Sequence, residues 1–231
     1  MSLGAFPPAY SLASRADAEE TEAHAAALFA SADGGRVLVE ALVEGAEFSV
    51  EMFSGRVVGI TRKHLGAPPA FVEAGHDYPA TVSGDDAAAL ESAVVRGTAL
   101  LGLGWGPLHW ELRMSGGRAV VIEVNPRLAG GFIPELVRYA QGIDLIRQTL
   151  RLVVGGAPDL APSHHRHASI RFLFAPGDGP LAEAEGLDDA REMPGVVDAA
   201  LYRAGGEMLR VHGDFRDRIG HVVARGETED E

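Results

Sequence analysis

The sequence predicts an α+β protein, an antiparallel sheet flanked by helices and followed by a small mostly-β C-terminal subdomain. Three observations carry that prediction. Glu47 to Phe53 alternates polar and apolar residues, and a second extended run, Arg56 to Thr61, follows the turn Ser54-Gly55. Leu108 to Met114 and Arg118 to Val124 form a further hairpin around Ser115-Gly116-Gly117. Between the hairpins, Ala87 to Leu101 carries a helical apolar stripe through Leu90, Val94 and Leu101, opened by the capping residues Ser83-Gly84-Asp85.

The other elements follow in order. Residues 15–30 are alanine-rich, with Asp17, Glu19, Glu20 and Glu22 at the front, which suits a helix whose acidic first turns complement its dipole. Ser31 to Gly35 ends it, and Arg36 to Glu40 is extended. Pro68-Pro69 opens a loop expected to run through Phe71 to Pro79. Gly102, Gly104 and Gly106 end the central helix, and Trp105, Trp110 and Phe132 are expected to pack. Asn125 to Gly131 is a loop, Pro134 suits a first helical turn, and one helix is expected to continue past Gly142 to Val154. After a linker at 157–163, short strands at about 168–174, 196–203, 207–211 and 218–224 alternate with Gly/Pro turns. The tract His164-His165-x-His167 at the linker edge reads as a surface feature.

Composition narrows the function. The 231 residues carry 33 acidic and 20 basic side chains, a net charge of −13, and no cysteine. Disulfides, thiolate metal sites and cysteine nucleophiles are therefore excluded. An acidic chain without a basic cluster argues against a nucleic-acid partner. Lys63 is the sole lysine, which excludes a conventional P-loop. The opening residues lack a basic n-region, and the longest apolar stretches fall short of the ~18–20 residues of a membrane span. A cytoplasmic protein with no membrane partner is expected.

The chemistry-bearing segment is His109-Trp110-Glu111, then Glu123-Val124-Asn125-Pro126-Arg127. Residues two apart on a strand share a face, so His109 and Glu111 point one way, as do Glu123 and Asn125. A three-residue loop at 115–117 would set Glu111 opposite Val121, with Glu123 diagonally across. An even loop would turn Glu111 to the other face. On the odd register, two carboxylates and an amide oxygen converge, a hard oxygen set suited to Mg²⁺ or Mn²⁺. The alternative is a salt-bridged hairpin end, with Arg127 neutralising the acids.

Glu111, then Glu123-x-Asn125-x-Arg127 and Gly130-Gly131, resembles the metal-binding end of ATP-grasp enzymes. The run Val37 to Glu51 resembles that family's nucleotide-binding hinge strand. Gly59 to Lys63 and Phe71 to Asp77 are most similar to the carboxylate–amine ligases that act on amino acids. The resemblance covers about residues 10–225 and implies ATP and Mg²⁺ (or Mn²⁺) as cofactors. It implies that Glu40 offers its carbonyl and Val43 its N–H to adenine, and that Glu47 accepts from the ribose. Glu111, Glu123 and Asn125 would hold the metal, and Arg127 the γ-phosphate or acyl phosphate. Glu73 and His76, with Gly130 and Gly131, would meet small-molecule carboxylate and amine substrates of the amino-acid type.

The resemblance also divides the chain: a small-lobe remnant at 1–35, a large lobe with hinge and metal site at 36–160, and a β-rich subdomain at 161–231. The family's glycine-rich loop and its two phosphate-binding lysines have no counterpart, and Lys63 lies on the wrong side of the hinge to match them. A C-terminal fragment of a ligase, inactive alone and prone to form a homodimer, is therefore expected. The alternatives are an inactive binding module on the same half-fold, or an ATP-grasp enzyme of the carboxylase type.

Overall fold

The computed structural model describes residues 40–67, 70–182 and 185–228. The expected helix at 15–30, the extended run before Glu40 and the division at 1–35 lie outside the described residues. Ten strands are described: β1 (Ala46–Phe53), β2 (Arg56–Leu65), β3 (Glu73–Tyr78), β4 (Pro107–Ser115), β5 (Arg118–Asn125), β6 (His167–Phe174), β7 (Gly179–Pro180), β8 (Val196–Leu201), β9 (Met208–Leu209) and β10 (Arg218–Gly226). The helices are α1 (Gly84–Leu100), α2 (Ile133–Gln141), α3 (Leu145–Val153) and the short α4 (Leu187–Glu192).

Eight strands form one sheet in the order β5-β4-β1-β2-β3-β6-β10-β8. Every neighbouring pair is antiparallel. β7 and β9 pair separately as a small ribbon. The tail is mostly β, as expected, and its strands extend the same sheet through the pairing of β3 with β6.

Each face has its own apolar cover. α1 is capped by Ser83, whose side chain accepts from the Asp86 N–H, and it buries Leu90, Val94 and Thr98. These pack with Phe48, Val50, Met52, Leu108, Trp110 and Leu112 from the even positions of β1 and β4. On the opposite face, α2 places Ile133, Leu136, Val137 and Ala140 with Tyr78, Ile170 and Val223, covering β3, β6 and β10. The odd positions of β1 and β4 also point to this second face, beside that apolar cluster.

Four expectations are corrected. The loop expected over 71–79 contains β3, whose sequence Glu-Ala-Gly-His-Asp-Tyr does not alternate because its last four residues are buried on both faces. The expected single helix from Pro134 to Val154 is two: Gly142 ends α2 in a left-handed conformation, and the Asp144 side chain caps α3 by accepting from the Arg147 N–H. Trp105 is 65% exposed, whereas Trp110 is core.

The fourth correction concerns the hairpin register. The β4–β5 turn has two residues, Gly116 and Gly117, with φ of 56° and 74°, and Ser115 pairs with Arg118. Positive φ at both central positions is the requirement of the turn that matches strand twist, and glycine meets it without strain. That even loop alone would send Glu111 to the wrong face. A bulge between Glu111 and Leu112 absorbs one residue of β5, so Glu111 pairs directly with Glu123 and His109 with Asn125.

Candidate functional site

The register assembles a polar surface from four strands, β4, β1, β2 and β3. On β1, Glu47, Ser49 and Glu51 pair with Arg113, Glu111 and His109 of β4. Across the other edge of β1, Glu47 pairs with Lys63 and Ser49 with Thr61 of β2. Lys63 in turn pairs with His76 of β3. All of these residues share one face because strand side chains alternate.

Lys63 sits at the centre. Its Nζ lies 2.8 Å from Glu47 Oε1, Glu73 Oε1 and Glu111 Oε2. His109 bridges a second pair, with Nδ1 2.8 Å from Glu51 Oε1 and Nε2 3.0 Å from Glu111 Oε1. Arg113 donates from Nε to Glu47 Oε2 at 2.8 Å and from Nη1 to the Val43 carbonyl at 2.6 Å. From the tail, Arg218 donates from Nη2 to Glu73 Oε2 at 3.0 Å. Four carboxylates thus interleave with Lys63, His109, Arg113 and Arg218.

Burial opposes the charges on Lys63, Glu73, Glu111 and His109, and their partners decide the protonation states. Lys63 is desolvated, yet Glu73, Glu111 and Glu47 outweigh that and raise its pKa above the ordinary lysine value. Burial likewise works against ionised Glu73 and Glu111, but Lys63 with His76 for the former, and His109 with Lys63 for the latter, hold both carboxyls down to about 2. His109 is pushed up to about 9, because Glu51 and Glu111 overcome its burial.

His76 behaves in the opposite way. Burial lowers its pKa to about 4, Glu73 resists the shift, and Lys63 and Arg218 add to it. Among the described residues, neither ring nitrogen has a hydrogen-bond partner. Its Nε2 is 3.8 Å from Glu73 Oε2 and lies beneath Gly131. The unfolded chain takes up a proton on His76 near pH 6.5 and the folded chain only near pH 4, so stability falls as pH drops from about 6.5 to about 4. Below about 4.5, protonation of Glu73 adds to the loss. Urea midpoints measured from pH 7.5 to pH 4 are expected to decline over that window in the wild type and to flatten in His76→Gln. An unchanged slope in the variant would assign the acid sensitivity elsewhere.

The sequence-predicted residues fall into distinct environments. Glu111, Glu123 and Asn125 share the site face. Glu123 and Arg127 make no ion pair among the described residues, and Arg127 donates to the Leu128 carbonyl instead. The Asn125 amide nitrogen is buried without a partner among the described residues. The acids are therefore not neutralised by Arg127 as a salt-bridged hairpin end requires. The donors are all oxygen, as a hard divalent cation requires. Both Glu111 oxygens are engaged, however, and no group of three His, Asp or Glu side chains stands ready for a metal among the described residues. A cation would have to draw Glu111 away from Lys63 or His109.

Glu73, His76 and Gly131 come together at the other end of Lys63, with Gly130 adjoining. Glu40 and Val43 lie before β1, outside any strand, and Glu40 is exposed. Glu47 is buried with both oxygens engaged. Sequence reasoning missed Lys63, Glu51, His109, Arg113 and Arg218 as network members. The available signal was polar alternation on both central strands, which on an ordinary sheet marks a solvent face. His164, half-buried, bonds to the Tyr139 carbonyl of α2 and to Ser163, which ties the start of the histidine tract to that helix.

The ATP-grasp domain family matches residues 10–135, more than half of the sequence. The chain belongs to the ATP-grasp family. The L-amino acid ligase C-terminal domain 2 family matches residues 171–231 of this ATP-grasp chain, so the resemblance to amino-acid ligases is carried by the tail. The protein y4rH of Sinorhizobium fredii, itself uncharacterized, is 40% identical over 188 residues, 81% of this chain and 39% of that protein. Carnosine synthase 1 of Gallus gallus is 30% identical over 163 residues, covering 64% of this chain and 17% of that enzyme. Among solved structures, the L-amino acid ligase of Bacillus licheniformis superposes with a TM-score of 0.73 at 22% identity, over 82% of this chain and 50% of that one. The chain spans half or less of the length of each. Among the described residues, no helix is long and apolar enough to cross a membrane.

Proposed function

We propose that this ATP-grasp chain supplies the metal-side half of an ATP-dependent carboxylate–amine ligase acting on amino-acid substrates. The pairing of Glu111 with Glu123, beside Asn125 and an Arg127 that makes no ion pair among the described residues, carries this reading. Glu111, Glu123 and Asn125 would hold Mg²⁺ or Mn²⁺, which would supply positive charge to offset that of the phosphates. Arg127 presents its guanidinium to the γ-phosphoryl group. The Glu40 carbonyl and the Val43 N–H receive adenine, and Glu47 receives the ribose by exchanging a contact with Lys63 or Arg113.

A substrate carboxylate oxygen attacks the γ-phosphorus and the bond to the β-phosphate oxygen breaks, giving an acyl phosphate and ADP. The second substrate's amine then attacks the carbonyl carbon, inorganic phosphate leaves with the bonding pair, and the nitrogen loses a proton. Glu73 accepts from an ammonium group, His76 stays neutral and offers one N–H, and the Gly130-Gly131 backbone allows close approach. No protein nucleophile is required. Catalysis rests on positioning and charge neutralisation.

The only lysine is committed to three carboxylates, so the phosphates are neutralised from one side and the chain alone is expected to form no ADP from ATP. The rival reading is a binding module that has no nucleotide task, favoured by the full engagement of Glu111. Thermal unfolding with Mg²⁺ and ADP separates the two. A magnesium-dependent rise in midpoint, abolished by Glu123→Ala, supports the ligase reading, and no rise in the wild type supports the module.

A further inference from the structure

We infer that Arg218 is a positioning residue of the amino-acid subsite, holding the Glu73 carboxylate where it receives the substrate's ammonium group. The inference rests on the proposed reading of Glu73 as the ammonium acceptor. It makes the C-terminal tail part of substrate recognition.

Arg218 stands at the start of the last strand, two strands away from Glu73. Its side chain crosses β6 with the guanidinium carbon 3.8 Å from the centre of the Phe172 ring. From there Nη2 donates to the Glu73 backbone carbonyl at 2.8 Å and to Glu73 Oε2 at 3.0 Å. One nitrogen thus ties the carboxylate to its own backbone and fixes the side-chain torsions between them. Lys63 holds the other oxygen, Oε1. A planar guanidinium can stack on the ring and donate in its own plane at once, which an ammonium cannot.

Two further observations point to a ligand in this corner. Of the three carboxylates around Lys63, Glu73 is the most exposed, at 30% against 19% for Glu111 and 8% for Glu47, so it keeps acceptor capacity facing outward. Among the described residues, Arg218 Nε and both nitrogens of His76 are buried without hydrogen-bond partners. Buried polar groups left unpaired are costly, and a bound polar molecule removes that cost. An α-amino acid has the complementary groups: an ammonium for Glu73, and carboxylate oxygens for an N–H donor of His76.

The test measures binding to the whole chain in the presence of Mg²⁺ and ADP. The probes are L-alanine and L-leucine against their des-amino counterparts, propionate and 4-methylpentanoate. Wild type is expected to prefer the amino acids. Arg218→Gln is expected to weaken them about tenfold while leaving the des-amino acids unchanged, and Arg218→Lys to recover part of the loss. A merely structural role would weaken both probe sets alike. If Glu73→Gln removes the preference and Arg218→Gln does not, this inference alone is overturned. If neither substitution alters the preference, or the wild type shows none, the reading of Glu73 falls and this inference with it.

Discussion

Replacing Lys63 with methionine is expected to lower the thermal unfolding midpoint by roughly 6–20 °C. The side chains keep similar length and volume, so the loss is electrostatic. Methionine leaves Glu47, Glu73 and Glu111 close together without the cation that each contacts at 2.8 Å. Breaking a buried ion pair by removing one partner costs about 3–5 kcal/mol, because the remaining charge is stranded away from water. For a domain of this size each kcal/mol moves the midpoint by about 2–4 °C. Neutralising one acid as well, in Lys63→Met with Glu111→Gln, is expected to restore part of the loss, a coupling that a double-mutant cycle measures. A single variant within two degrees of wild type would show that the carboxylates relax into solvent, and that the Lys63 hub contributes little to stability.

The hub also shows how far the sequence could be read. Alternation on β1 and β4 was legible, because Phe48, Val50 and Met52 are core and need apolar partners. The other half of the same pattern was illegible. Glu47, Ser49 and Glu51 look like a solvent face, and the pairing of Glu47 with Lys63 and Arg113, and of Glu51 with His109, keeps the two acids buried. Those partners come from strands that must first be in register, and the register was the weak point. The β4–β5 loop is shorter by one residue than expected, and a bulge restores the lost parity, so Glu111 and Glu123 meet by a route the sequence does not announce. β3 was missed for a related reason. A strand buried on both faces loses the alternation, and its polar His76 and Asp77 disguise it further. Arg218 was beyond reach entirely, since its contact with Glu73 spans 145 positions and depends on the tail joining the same sheet.

Gly130 and Gly131 look equivalent in the sequence, and substituting them is expected to give opposite results. Gly131 has a φ of 58°, and a Cβ there would stand 2.5 Å from His76 Nε2. Alanine therefore meets two costs: the left-handed conformation, about 1–2 kcal/mol, and overpacking of about 1–3 kcal/mol. His76 has little room to retreat, being 1% exposed and edge-on to Phe172 with ring centres 5.9 Å apart. Gly131→Ala is thus expected to destabilise by about 2–5 kcal/mol in urea titrations. Gly130 has no atom within 4 Å of the Cβ position and no positive φ, so Gly130→Ala is expected to be near neutral. Combining Gly131→Ala with His76→Ala opens the space that the new methyl group needs, and the pair is expected to cost less than the sum of its parts. Strict additivity would place the whole penalty in the backbone conformation. A compensated pair would show that the 130–132 loop is pressed against His76.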